Sequence, residues 1–216
     1  MNQLRPEIDS VSIPERIRAL PVDERGYPVP WFVEWIDGKP EFRVADGEKW
    51  MRAVRYRICW VCGQKLGSYL IFVLGPMCGI TRTTTEPACH LDCARFAAQA
   101  CPFLIRAHMI RRGQEELAAM GVTSSGNAIK RNPGVALLWT TRSFEVWRPA
   151  PGEMLISVGD PLEVEWWSAG RKATRAEVEE SIRTGLPLLE AEAAKQEGAP
   201  EALARQVKDF MPLLPE

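Results

Sequence analysis

The alternation of apolar and polar positions divides the chain into short elements. Residues 31–36 (WFVEWI) pattern as a strand, Asp37-Gly38 is a turn signal, and residues 41–44 read as the return strand of a hairpin. Asp46 is placed to cap a helix running through Trp50, Met51 and Val54 to about Arg57. The most apolar run, 69–74, is strand-sized and ends at Gly75-Pro76; residues 75–79 read as a hairpin turn. Residues 90–100 are rich in helix formers, with Leu91, Ala94, Phe96, Ala97 and Ala98 among them. Pro102 interrupts, and a second helix is expected over 103–120 with Gly121 as its C′ residue. A long polar loop follows over 121–134. Short strands are expected at 135–139, 144–147, 154–158 and 162–167. Thr174 and Glu177 have capping-box spacing and open a helix; residues 186–194 and 201–211 also pattern as helical.

Strands and helices are segregated rather than strictly alternating, which makes the expected class α+β. No fixed-period repeat is present. Three stretches follow: an N-terminal arm and hairpin (1–48), a helical module (49–134), and C-terminal strands and helices (135–216) that form one unit with the centre. The arm is broken by Pro6, Pro14, Pro21, Pro28 and Pro30, with a short helix near 15–20.

Composition changes the picture little. The chain has 216 residues, 46% hydrophobic and 25% charged, and a formal net charge of -1. Collagen-like, coiled-coil and largely disordered readings do not fit these values. Distribution of charge says more than its total. Residues 49–148 hold fourteen basic and five acidic side chains, a net of +9 between acidic flanks of −4 and −6. A basic middle points to phosphates or an acidic protein surface, unless the acidic flanks fold over it.

All six cysteines lie between Cys59 and Cys101. The N-terminus has no apolar segment of signal type, and no window approaches the roughly 18 apolar residues of a membrane span. A cytoplasmic protein without membrane contact is expected, in which clustered thiols favour metal over disulfides. Cys59 and Cys62 are two residues apart and Gly63 follows, the pattern of a knuckle whose turn needs a positive φ. His90 and Cys93 have i, i+3 spacing and share one face of a helical first turn. Three thiolates and one imidazole make a closed tetrahedral set, which is the donor set of structural zinc. Cys89 is an alternative to His90 as fourth ligand, and Cys78 is close in sequence. An iron–sulfur cluster would leave His90 idle, and the ferredoxin spacings are absent.

The order of knuckle, strand and helix-borne pair resembles the treble-clef family of zinc modules. The resemblance covers roughly residues 57–101 and implies a zinc-stabilised centre. The wider segment CWVCG…FVLGPMCG…EPACHLDCARFAAQACPFL is similar to a group of uncharacterised bacterial and phage proteins. That group implies zinc binding and no particular activity.

Catalytic signatures are missing. The deaminase pattern fails because no H-x-E precedes Pro87-Ala88-Cys89. No Walker loop, G-x-S-x-G or dinucleotide fingerprint occurs. If His90 is a ligand, His108 is the one histidine left, and it reads as a structural residue on a helix. Of the eight tryptophans, Trp31, Trp35, Trp139, Trp147, Trp166 and Trp167 fall in expected strands and read as core and sheet-edge residues. Trp60 inside the knuckle either packs over the metal or offers a stacking surface.

These features favour a zinc-binding interaction protein without catalysis. Its candidate contact face for nucleic acid or an acidic partner comprises Arg52, Arg55, Arg57, Arg82, Arg111, Arg112, Lys130 and Arg131. Two alternatives stand beside it. One is a phage or mobile-element protein that binds a host protein complex. The other is an enzyme acting on nucleic acid or nucleotides through an unidentified acidic residue.

Overall fold

The computed structural model describes residues 3–9, 11–106 and 131–216. The chain mixes α-helices with short antiparallel strands. In order these are α1 (Pro6–Asp9), α2 (Glu15–Arg18), β1 (Val33–Ile36), β2 (Lys39–Ala45), α3 (Gly47–Tyr56), β3 (Leu70–Leu74), α4 (Pro76–Thr81), β4 (Thr83–Thr84), α5 (Leu91–Ala100) and α6 (Pro102–Ile105). After the undescribed stretch come β5 (Ala136–Thr141), β6 (Phe144–Trp147), β7 (Leu155–Val158), β8 (Glu163–Ser168), β9 (Arg171–Lys172), α7 (Arg175–Ala193) and α8 (Ala199–Phe210). Among the described residues no helix is long and apolar enough to cross a membrane.

The strands form three sheets: β1-β2, a central β3-β5-β8-β9, and β4-β7-β6. Strand β5 is a nearly continuous apolar run because both faces of the central sheet are covered. Side chains alternate along it. Leu137 and Trp139 point to the face where Gly79 of α4, Phe210 of α8 and Arg82 lie. Across the ladder Trp166 sits opposite Leu137, packs edge-on against Phe210, and donates its indole N–H to the Leu213 carbonyl at 2.8 Å. Leu138 and, opposite it, Glu165 face α5 instead. One buried cluster takes Ile8, Ile13 and Ile17 from the N-terminal stretch, the sheet residues, and Phe210 and Leu214 from the C-terminus.

Local chemistry explains most boundaries. The Asp46 carboxylate accepts from the Lys49 N–H at 3.0 Å and starts α3, which stops where Arg57 turns to φ +51°. The Thr174–Glu177 capping box opens α7. One expectation needs correction. Residues 75–79 are not a hairpin turn: Pro76 begins helix α4, with Gly79 inside it. A Cβ at Gly79 would stand 2.6 Å from Leu137 Cδ2 and 2.7 Å from Phe210 Cε2, so glycine lets α4 lie close on the sheet and α8. Residues 186–194 are helical as expected, up to Ala193, as the continuation of α7 through Pro187. The packing of Val178, Ser181, Ile182 and Gly185 against the core outweighs the one hydrogen bond that proline removes. Of the helix expected over 103–120, the described part is α6; the remainder and most of the 121–134 loop lie outside the described residues.

Glu165 is buried at 7% exposure and gathers three donors. The Arg95 guanidinium of α5 binds it through both Nε and Nη2, the Lys172 ammonium lies at 2.6 Å, and the Trp167 indole N–H at 3.2 Å. Burial alone would raise the carboxyl's pKa, but the Arg95 and Lys172 hydrogen bonds and charges together bring it down to about 2. An unfolded glutamate titrates near 4.3. The ion cluster therefore stabilises the fold fully above that value and loses its effect as pH falls toward 2. Urea midpoints of wild type and Glu165→Gln should differ most near neutrality and converge between about pH 5 and 2. A constant difference across that window would contradict the role of the charge.

Candidate metal centre

The knuckle is built by backbone bonds. Ile58 and Lys65 form an isolated antiparallel bridge, and the Leu66 N–H donates to the Arg57 carbonyl at 2.8 Å. Inside this closure the Gly63 N–H donates to the Cys59 carbonyl at 2.9 Å, and the Cys59 N–H donates to the Gln64 carbonyl at 2.7 Å. Gly63 takes φ +74°, and a Cβ there would stand 2.6 Å from Trp31 Cδ1. Glycine is required at this position twice over, for the conformation and for the close indole. The Cys62 N–H points at the Cys59 sulfur at 3.5 Å, a turn geometry that stabilises a thiolate.

The second pair comes from the start of α5. His90 is its N-cap residue and Cys93 lies in its first turn, where the helix dipole favours an anionic sulfur. The ligand atoms of Cys59, Cys62, His90 and Cys93 all lie within 4.8 Å of one another. His90 Nδ1 is 3.4 Å from Cys62 Sγ and 4.0 Å from Cys93 Sγ. Its other nitrogen, Nε2, is 3.1 Å from the Lys65 carbonyl oxygen. A carbonyl can only accept, so Nε2 carries the proton and Nδ1 presents a lone pair to the three sulfurs. A backbone carbonyl that orients a histidine in this way is the usual outer partner of a metal ligand.

The thiols are electrostatically strained as neighbours. Burial pushes the Cys59 thiol up to about 11. Hydrogen bonding to Cys59 and Cys62 raises Cys93, while Cys62 is held far below the thiol range by hydrogen bonds from the other two. Three sulfurs and one imidazole lone pair form a donor set suited to a soft or borderline dication.

Cys89 does not join this set. Its N–H and C=O pair with Ile71, at 2.8 and 3.1 Å, and its sulfur lies 3.2 Å from the Ile71 carbonyl. The bridge turns the side chain toward β3 and stitches the entry of α5 to the central sheet. Cys78 lies in α4, and Cys101 caps α6, where burial raises its thiol.

Aromatic residues cover the knuckle. Trp60 is 4% exposed, stacked on Phe32 at 5.0 Å and edge-on to Trp31 at 6.4 Å. Its indole N–H donates to Glu86 at 2.6 Å. It is a packing residue and not an open stacking platform. Sequence patterning gave no sign of Glu86 or of the Lys65 carbonyl, since a backbone acceptor leaves no trace in residue type.

The expected contact residues separate. Arg52, Arg55 and Arg57 are exposed on or beside α3; Arg52 lies over the Trp31 ring at 5.5 Å, and none of the three forms an ion pair among the described residues. Arg82 is paired with Asp160 at 2.5 Å and lies over Trp139. Arg131 donates to the Ser181 carbonyl and hydroxyl, and burial lowers its pKa. These last two are held by the fold. Arg111, Arg112, Lys130 and His108 lie outside the described residues.

No family profile matches this chain, and neither a curated protein nor a solved structure matches it.

Proposed function

We propose that the protein is a non-catalytic interaction protein whose centre is held by one structural zinc ion. Cys59, Cys62, His90 and Cys93 are the ligands. The observation that carries this reading is the convergence of three sulfurs on a histidine nitrogen whose ring is oriented by the Lys65 carbonyl. Four protein donors leave no open position for a reacting water, which is the arrangement of a structural site. The knuckle followed by a helix-borne pair is treble-clef-like. It departs from that pattern in one respect: β3, after the knuckle, pairs with the distant β5, and its local link is the single Ile71–Cys89 bridge.

The contact face is α3, where Arg52, Arg55 and Arg57 have no carboxylate partners among the described residues. Their charge suits a polyanion, either nucleic acid or an acidic protein surface. A labelled oligonucleotide should bind at low salt and lose affinity steeply as salt rises, with Arg52→Glu/Arg57→Glu weakening it about tenfold or more. Absence of binding at low salt would remove nucleic acid as the partner. A purely protein-binding role, as expected of a phage or mobile-element factor acting on a host complex, is favoured by one observation: exposed apolar side chains flank the same arginines.

A further inference from the structure

Beside α3 lies a cleft of about 460 Å³, within the range of small-molecule sites, about 300–1,000 Å³. Met51 and Arg55 form one wall, at positions i and i+4 and so on one face of the helix. The opposite wall is the end of the β6–β7 hairpin, with Val146, Trp147 and Arg148 from one side and Met154 from the other. Met51 and Trp147 are 45% and 44% exposed. The tryptophans single out this wall. Five of the eight donate their indole N–H to a protein acceptor: Trp50 to Thr85, Trp60 to Glu86, Trp139 to Gly159, Trp166 to Leu213 and Trp167 to Glu165. Trp31 packs edge-on to Trp60. Among the described residues Trp35 and Trp147 have neither an indole acceptor nor a ring neighbour, and of these two it is Trp147 that lines the cleft.

Charge and shape select the occupant. No carboxylate lines the cleft. Arg55 and Arg148 stand on opposite walls, and neither has an ion-pair partner among the described residues. Arg52 and Arg57 continue the same unpaired charge along α3, outside the cleft. A line of cations that outruns the cleft fits an anion with regularly spaced charges. The cleft itself is walled by an indole, two thioethers and two guanidinium groups. These are flat or polarisable surfaces, and a planar aromatic ring gains from each of them. An unpaired nucleobase on a phosphate chain supplies the ring and the charges together. A glutamate-rich peptide would meet the arginines and leave the indole face unused.

The geometry points to a nucleobase site. The cleft takes an unpaired base of a single-stranded nucleic acid against Trp147, between the Met51 and Met154 thioethers, while Arg55 and Arg148 meet the flanking phosphates. Every base has a π-face, so the site is tolerant of sequence. This inference rests on the reading of α3 as a contact face and specifies the partner.

The test uses the full zinc-loaded chain and a fluorescein-labelled oligothymidine. An abasic strand of the same length and charge and a glutamate-rich peptide serve as comparators. Oligothymidine should bind saturably at low salt, and the abasic strand at least about tenfold more weakly. Trp147→Ala should weaken oligothymidine about fivefold or more and leave the abasic strand unchanged, whereas Trp147→Phe, which keeps a ring, should retain most of the affinity. Zinc content and circular dichroism should not change in either variant, because the side chain is exposed. Arg55→Glu/Arg148→Glu should weaken both strands. The proposal is overturned if Trp147→Ala leaves oligothymidine binding unchanged or weakens both strands equally, if Arg55→Glu/Arg148→Glu leaves it intact, or if the peptide alone binds and the same variants abolish that binding. An abasic strand that binds as tightly as oligothymidine, with both lost in Arg52→Glu/Arg57→Glu, overturns this inference alone. A zinc-loaded protein that binds no strand at low salt overturns the nucleic-acid reading of α3 as well.

Discussion

Cys59→Ser will yield a protein that neither retains zinc nor folds its centre at ordinary temperatures. Wild type should carry about one zinc per chain, the variant close to none. The cost comes from two sources. Metal binding contributes apparent folding free energies of about 10–16 kcal/mol in small zinc modules, and losing one of four ligands forfeits most of it. The residual set then keeps two buried thiols and a histidine with no cation to balance them. The damage will not stay local. Helix α5 carries Cys93 to the candidate metal cluster and Arg95 to the buried Glu165 of β8, while the residue before His90 is bridged to β3. Losing the anchor at the start of α5 loosens one face of the central sheet. Zinc analysis and thermal melting by circular dichroism check the outcome, and a chelator added to wild type should reproduce it. A wild-type protein that is metal-free and melts at the same temperature with and without added zinc would refute the zinc assignment.

Trp139→Ala should destabilise the fold by about 3–5 kcal/mol, the range for truncating a buried aromatic residue. Trp139 is 1% exposed in the middle of β5, between Phe72 of β3 and Val164 of β8. Its indole N–H donates to the Gly159 carbonyl at 2.9 Å, and Arg82 lies over its ring at 5.6 Å. Alanine leaves that carbonyl without its donor, removes the surface on which Arg82 rests, and opens the core toward the adjoining cleft of about 260 Å³ beside Ile80 and Phe210. Against a total stability of about 5–15 kcal/mol, this loss places the variant near the unfolding threshold. Denaturant titration measures it. Zinc content of the folded fraction should remain at wild-type level, because the side chain faces away from α5. An effect below about 1 kcal/mol would mean that the core can close over the missing ring.

The elements visible in the sequence were those whose signal is local. Asp46 and the Thr174–Glu177 box are capping chemistry within one turn of chain, and both helix starts lie where those residues place them. The Asp37-Gly38 hairpin is equally local. The cysteine spacing was legible for the same reason: the knuckle and the helix turn each fix two ligands within four residues. What escaped depends on partners distant in sequence. Gly79 looked like turn punctuation because the Leu137 and Phe210 side chains that require a glycine there lie far along the chain. That a single helix runs from 175 to 193 escaped because the core packing that carries α7 through Pro187 leaves no local mark. The choice between Cys89 and His90 needed Ile71, whose backbone captures Cys89 and turns it away. Formal charge placed Arg82 and Arg131 on the contact face, whereas Asp160 and Ser181 hold them.

The pairing of β3 with β5 sets a timetable for synthesis. All four ligands exist once residue 93 has been made, but β3 has no sheet partner until residues 136–141 follow. A growing chain can thus close its metal loop while the central sheet is still a single strand, and β5 and β8 then add to an anchored template. Long-range pairing is the slow part of folding, and an early local clasp shortens the search by holding β3 in place. On the proposed zinc reading, metal supplied during translation should speed assembly relative to metal supplied afterwards.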